Sequence, residues 1–182
     1  MNELLLVIWF FLPAGIANAS PTWANKIPRI NRLNTPMDFG KSFNGKRIFG
    51  DNKRWRGLIF GMIFGALTAY IQFLIYPDFI NELGIASNSP ALTMTVLGGL
   101  LGLGALLGDA VESFFKRRSH VKPGDSWFPY DQIDFIIGGI ILSMPIVLLS
   151  ARTYLLILII WFSLHLIAGY IGYLLKLKDK PI

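Results

Sequence analysis

Asp109, Glu112 and Lys116 follow one another at intervals of three and four, so on a helix they share one face. Asp131 and Asp134, three apart, form a second acidic pair just before a long apolar run. The stretch from 108 to 134 holds five carboxylates and, with His120, five basic residues at the end of another apolar run. Charged side chains beside a membrane span are costly to desolvate, and they tend to mark function. Acids clustered with a lysine suit a divalent cation and a phosphorylated substrate held at a membrane surface. The plainer alternative is a set of interfacial salt bridges, Glu112 with Lys116 or Asp109 with Arg56, each worth little. Five carboxylates exceed what anchoring requires.

A second group of residues lies upstream. The segment from Thr35 to Gly57 mixes glycines with Lys41, Lys46, Arg47, Lys53, Arg54 and Arg56. Backbone amides freed by glycine, together with convergent cations, suit a polyphosphate. It is not a Walker loop, because no GxxxxGK(S/T) string occurs. Gripping anionic lipid headgroups is the alternative. The interleaved Asp38, Asp51, Phe39, Phe43, Phe49 and Trp55 predict an ordered structure, since a loop of solvated charge rarely needs so many aromatics.

The elements that must position these groups are membrane spans. Of 182 residues 53% are hydrophobic and 15% charged, with mean hydropathy +0.52, more apolar surface than a soluble domain of this size can bury. There is no cysteine, which excludes disulfides, Cys-ligated zinc, iron–sulfur clusters and cysteine nucleophiles. His120 and His165 are too far apart for a short zinc motif, and His165 and Gln72 read as ordinary hydrogen-bonded groups inside the bundle. Apolar runs start at Leu4, Gly57, Ala91 and Ile133, and the last extends to Leu175. That run is about twice the roughly 20 residues one span needs, and Ser150 to Thr153 predict a tight turn within it. The expectation is an all-α integral membrane protein with five spans, at about 4–23, 57–76, 91–110, 133–150 and 153–175. Loops of about 24–56 and 111–132 join them, and residues 1–182 make one membrane-embedded domain. No period-two alternation supports a β-barrel. The only early charge is Glu3, so the first run reads as a span and not as a signal peptide. Asn18, Ser20, Thr22 and Asn25, at its inner end, would be wasted on lipid and are expected to line a cavity or pack on a neighbour.

Charge sets the orientation. The segment from Lys26 to Arg56 carries nine of the 17 lysines and arginines, the 112–134 connection four and the tail after Leu175 three. Five spans put these 16 on one side and leave Arg152 alone on the other. The basic side is cytoplasmic, so the N-terminus lies outside and the C-terminus inside.

GDAVESFFKRR, followed by DSWFPYDQIDF, resembles the signature of the membrane CTP-dependent cytidylyltransferases, in which a GDxxESxxKR block precedes a DxxD pair. The short five-span format, DFGKSFNGKRIFGDNKRWRG and KPGDSWFPYDQIDF look like the archaeal branch, the CDP-archaeol synthases. Trp127-Phe128-Pro129-Tyr130 stand where the bacterial and eukaryotic relatives have a histidine and glycines. The resemblance implies transfer of CMP from CTP to an isoprenoid ether-lipid phosphate, releasing pyrophosphate. It implies a cell-membrane enzyme with a polar cavity open to the cytoplasm and no nucleic-acid partner. Asp109, Glu112, Asp131 and Asp134 are the implied Mg²⁺ ligands. Lys116 is expected on phosphate, with Lys53 and Arg56, and also Lys41, Lys46 and Arg47, on the triphosphate or the lipid phosphate. Asn18 and Asn25 are expected on the cytosine or its ribose. Rival readings are a CTP-dependent polyprenol kinase, which would release CDP, and a small transporter or lipid-binding scaffold.

Overall fold

A computed structural model describes residues 1–24, 33–122 and 125–176. Asn25 lies outside them. Helix α1 (Glu3–Ala24) leads to a small hairpin of β1 (Ser42–Phe43) and β2 (Lys46–Arg47), then α2 (Trp55–Ile75) and the single turn α3 (Phe79–Glu82). Helices α4 (Pro90–Arg118), α5 (Tyr130–Ser143) and α6 (Ala151–Leu174) complete the bundle. Among the described residues four helices, α1, α2, α4 and α6, are long and apolar enough to cross a membrane. The outward faces of α2 and α6 are apolar and exposed, with Ile71, Leu74, Leu155 and Ile167 at least half uncovered. Such a surface suits hydrocarbon.

Glycine decides how closely the helices approach. A Cβ on Gly65, Gly98 or Gly102 would strike the backbone of the facing helix, so α2 and α4 pack main chain against main chain. The same holds for α4 and α5, where a Cβ on Gly104 would meet Gly138 and one on Gly108 would meet the Asp134 carbonyl. Small residues permit this where no hydrophobic drive separates helix from lipid. Aromatics fill the wider gaps: Phe11 of α1 lies 6.1 Å from Phe135 and 5.6 Å from Trp161, centroid to centroid. Pro13 in α1 has no N–H, which frees the Trp9 carbonyl one turn earlier. Gln72 of α2 donates its Nε2–H to that carbonyl at 2.7 Å. The ordinary role expected of Gln72 is thereby given a specific cause.

Three boundaries differ from the sequence expectation. Helix α4 runs through Arg118 over 29 residues, about 44 Å at 1.5 Å per residue, so the acidic block expected in a loop from 111 is helical. Helix α5 has only 14 residues, about 21 Å, and ends at Ser143 where a span to 150 was expected. Pro145 offers no N–H to the Ile141 carbonyl and stops the helix; the chain continues non-helically from Val147 to Ser150. Finally, the expected turn at 150–153 is the start of α6: Ser150 is its N-cap and accepts the Thr153 N–H at 3.1 Å.

Ion pairs sort the ends of the helices into two groups. The Met1 amine lies 2.9 Å from Glu82, and Arg152 lies 2.8 Å from Glu3. This gathers the start of α1, the α2–α4 connection and the start of α6. At the other end Lys46 donates to the Arg118 carbonyl at 3.4 Å, and the Arg118 guanidinium lies over Phe114 and Phe43. The hairpin is thus pinned to the end of α4.

The basic connection is ordered, as expected. Asn44 and Gly45 at the hairpin tip have φ of 51° and 73°, the conformation of a type I′ turn that an Asn-Gly pair favours. Behind them Asp38 is buried and accepts amides from Gly40, Phe49 and Gly50, each at 3.0 Å, plus the Arg47 guanidinium at 2.6 Å. Burial alone would raise its pKa, but Arg47 and the three amides hold it well below the ordinary carboxylate range. The segment closes with Met37 N–H on the Lys53 carbonyl at 2.8 Å and Trp55 N–H on the Thr35 carbonyl at 3.2 Å. These two bonds set Lys53 and Arg54 at the mouth of α2.

Candidate functional site

The close approach of α4 and α5 builds the site. Asp109 and Glu112 lie one helical turn apart on α4, and the Gly108 backbone touches the Asp134 carbonyl on α5. With no side chain between the helices there, one oxygen each from Asp109, Glu112 and Asp134 falls within 4.8 Å of the others. Two ligands of one Mg²⁺ at about 2.1 Å stand at most about 4.2 Å apart, so the trio lies at or close to the spacing one ion needs. The donor set, three carboxylates, is one that hard cations select. Glu112 is 7% exposed and its Oε1 accepts no hydrogen bond. An unsatisfied buried acceptor is costly, and a cation between the three acids would satisfy it. Lys53 approaches from the hairpin side, its Nζ 2.6 Å from Asp109.

Asp131, the fourth expected acid, is not one of this trio, although its carboxyl is a hydrogen-bond neighbour of Glu112. One of its oxygens takes the Lys116 ammonium at 2.6 Å and the other takes the Trp127 N–H at 2.6 Å. Lys116 is buried, and its Nζ lies 3.7 Å from Glu112 Oε1. The three-and-four spacing on α4 therefore does place Asp109, Glu112 and Lys116 on one face. The aspartate pair on α5, however, divides between two neighbours.

Two hollows meet at the acids. On one side a polar cavity of about 540 Å³ opens between the chain on either side of the hairpin, the end of α1, the start of α2 and α4. Asn18, Lys53, Arg56 and Asp109, all singled out in the sequence, line it, and so do Asn34, Asn52 and Arg54. On the other side an apolar groove of about 560 Å³ runs along α4 and α5. Val111, Phe115, Ile137 and Ile141 form its walls, and Glu112 and Asp134 are the acids that line it. Trp127 and Tyr130, with ring centroids 4.4 Å apart, also border that groove.

Lys41, Lys46 and Arg47 do not line the cavity. Arg47 is committed to Asp38 and, at 2.7 Å, to Asp51, Lys46 reaches the end of α4, and Lys41 is exposed. Arg54, one of the six basic residues of this segment but not one of the expected phosphate binders, also lines the cavity. It precedes α2 in extended conformation, φ −118° and ψ 146°. Its guanidinium donates to the Asp51 carbonyl at 2.9 Å and the Asn34 carbonyl at 3.1 Å. The adjacent cations at 53 and 54 were the available signal.

A family model described as CarS-like, CDP-archaeol synthase, matches residues 1–182. Among curated relatives, the CDP-archaeol synthase of Pyrococcus furiosus is 36% identical, covering 100% of this chain and 99% of its own length. That of Methanocaldococcus jannaschii is 34% identical, covering 97% and 96%. A solved structure, presented as structural insight into an intramembrane enzyme for archaeal membrane lipids biosynthesis, superposes with a TM-score of 0.70 at 28% identity. The match covers 89% of this chain and 91% of that one.

Proposed function

The chain belongs to the CarS-like family of CDP-archaeol synthases, and we propose that it transfers CMP from CTP to 2,3-bis-O-geranylgeranyl-sn-glycerol 1-phosphate. The products are CDP-archaeol and pyrophosphate, and the enzyme serves membrane-lipid biosynthesis. One observation carries this assignment of parts. The three carboxylates lie between a basic polar cavity and an apolar groove, where a nucleotide and a lipid phosphate can meet.

The nucleophile is a phosphate oxygen that is already ionised, so no general base is required. A new bond forms from it to the α-phosphorus of CTP, while the bond from that phosphorus to the bridging oxygen of pyrophosphate breaks. The task is to align two polyanions and to neutralise the leaving group. Lys53, Arg54 and Arg56 present that charge from the cavity wall. Asn18, at the same wall, has donor and acceptor groups for the cytosine or ribose. Lys116 supplies positive charge from beside the acids, its ammonium held between Asp131 and Glu112. Asp109, Glu112 and Asp134 would hold Mg²⁺, which when bound stabilises negative charge on the phosphoryl oxygens. The groove takes an isoprenoid chain, open sideways to hydrocarbon.

All of residues 1–182 act as one membrane unit with five crossings, the fifth being α5 plus the extended chain to Ser150. The two-ended grouping of helix termini supports this count. The basic end, with the hairpin, the cavity and the end of α4, faces the cytoplasm.

The deciding experiment incubates purified protein with each nucleoside triphosphate, Mg²⁺ and the lipid phosphate. Pyrophosphate release restricted to CTP, with a CDP-lipid product, is the expected result. Release of CDP would mean phosphoryl transfer and would refute the assignment.

A further inference from the structure

We infer that the two aspartates of the DxxD pair have different work: Asp134 faces a single divalent cation with Asp109 and Glu112, whereas Asp131 is a positioning residue that fixes the Lys116 ammonium as a built-in second cation. The inference rests on the metal centre proposed above and goes beyond it by setting the ion count and the role of Asp131.

Four carboxylates in one site ordinarily admit two divalent ions, about 3.5–4 Å apart, which clamp the attacking and leaving oxygens. Here the second place is taken. Lys116 Nζ stands 2.6 Å from Asp131 and 3.7 Å from Glu112, so the ammonium bridges the carboxylate pair that a second ion would have to use. It is buried and sits on a regular helix, and its amine is held by an acid whose other oxygen is tied to the Trp127 N–H. That second tie matters, because it stops Asp131 from rotating toward the trio without releasing the α4–α5 connection. Meanwhile Glu112 Oε1 has no hydrogen-bond donor although its residue is 93% buried, being 7% exposed. Glu112 stands between the two groups: its carboxyl belongs to the Asp109–Asp134 cluster, and its Oε1 is the oxygen nearest the buried ammonium. The site is therefore built for one exchangeable cation beside one fixed cation.

The test titrates full-length protein in detergent with Mn²⁺, without nucleotide or lipid, reading free ion by electron paramagnetic resonance. Wild type should bind one ion per chain. Asp131→Asn should keep that ion with little change in affinity, while turnover falls roughly 10- to 100-fold, the usual cost of losing an outer partner. That loss should lie in kcat, with KM for CTP unchanged, and Asp131→Glu should recover part of it because it can still hold Lys116. Lys116→Met, which removes the ammonium from between Asp131 and Glu112, should bind a second ion. Two ions on wild type, loss of the ion in folded Asp131→Asn, or a single ion on Lys116→Met would each overturn the inference. If Asp134→Asn bound Mn²⁺ as wild type does, the proposed metal centre itself would fail, so the two failures are distinct.

Discussion

Gly108→Ala isolates the feature on which the site depends. Its added Cβ would collide with the Asp134 carbonyl and come close to the backbone of Gly138. Non-bonded carbon contacts are stable at about 3.5–4.0 Å, so α4 and α5 must separate locally by about 1 Å. Overpacking of this kind costs about 1–3 kcal/mol of stability, partly offset by the roughly 1 kcal/mol that alanine gains over glycine in a helix. The larger effect is on geometry. Asp109 and Asp134 sit on opposite sides of that contact, and the trio's oxygens, all within 4.8 Å of one another, have little slack if they are to share one ion. A displacement of about 1 Å can cost about 100-fold in rate, equivalent to about 2.7 kcal/mol. The assay compares CTP-dependent turnover and Mn²⁺ affinity with the thermal midpoint, all in detergent. Gly99→Ala is the control on the same helix, since its Cβ would meet Ala66 at 3.6 Å, an ordinary contact. The expected result is a large loss of turnover and metal affinity for Gly108→Ala and little change for Gly99→Ala. Turnover near wild type for Gly108→Ala would show that backbone contact between these helices does not assemble the site.

Lys53→Ala removes a cavity cation and should raise KM for CTP roughly 10- to 100-fold, from the 1.5–3 kcal/mol of a charged hydrogen bond; Arg47→Ala should lower the thermal midpoint while leaving that KM alone, and steady-state kinetics separate the two. Asp38 has a folded pKa depressed below the ordinary 3.8, so its contribution to hairpin stability is complete above that value and is lost as pH falls further. Fluorescence of tryptophan, including Trp55 beside Phe39, should therefore report loosening of the hairpin below about pH 3.9; Asp38→Asn should weaken the hairpin at neutral pH and abolish this acid step. Gln72→Leu leaves the Trp9 carbonyl without its donor inside the bundle and should lower stability by about 1–3 kcal/mol, read as a shift in thermal midpoint. An unchanged midpoint would mean that the carbonyl finds another donor.

Much of this protein was legible before any coordinates. The four membrane-length apolar helices among the described residues, the clustering of basic residues and the shared face of Asp109, Glu112 and Lys116 follow from local rules: residue hydropathy, charge count and the 3.6-residue turn. Even the ordered basic segment showed itself, because Asp38 and the aromatics had no business in a solvated tether. The stop of α5 was also written in Pro145, although the apolar run continued past it and hid the signal.

The rest depended on which groups meet across chain separations. Asp131 and Asp134 share a helical face as surely as Asp109 and Glu112 do, yet only Asp134 joins the trio. Helical spacing places side chains on a face; it does not say where a neighbouring helix crosses that face. The crossing is set by Gly104, Gly108 and Gly138, which bring the α4 and α5 backbones together and leave Asp131 nearest to Lys116. Likewise Arg47, one cation among six in its segment, is claimed by Asp38 and removed from the cavity. Charge and periodicity are properties of the chain, whereas partner choice among equivalent charges is decided by distance and burial, which only the packed bundle supplies.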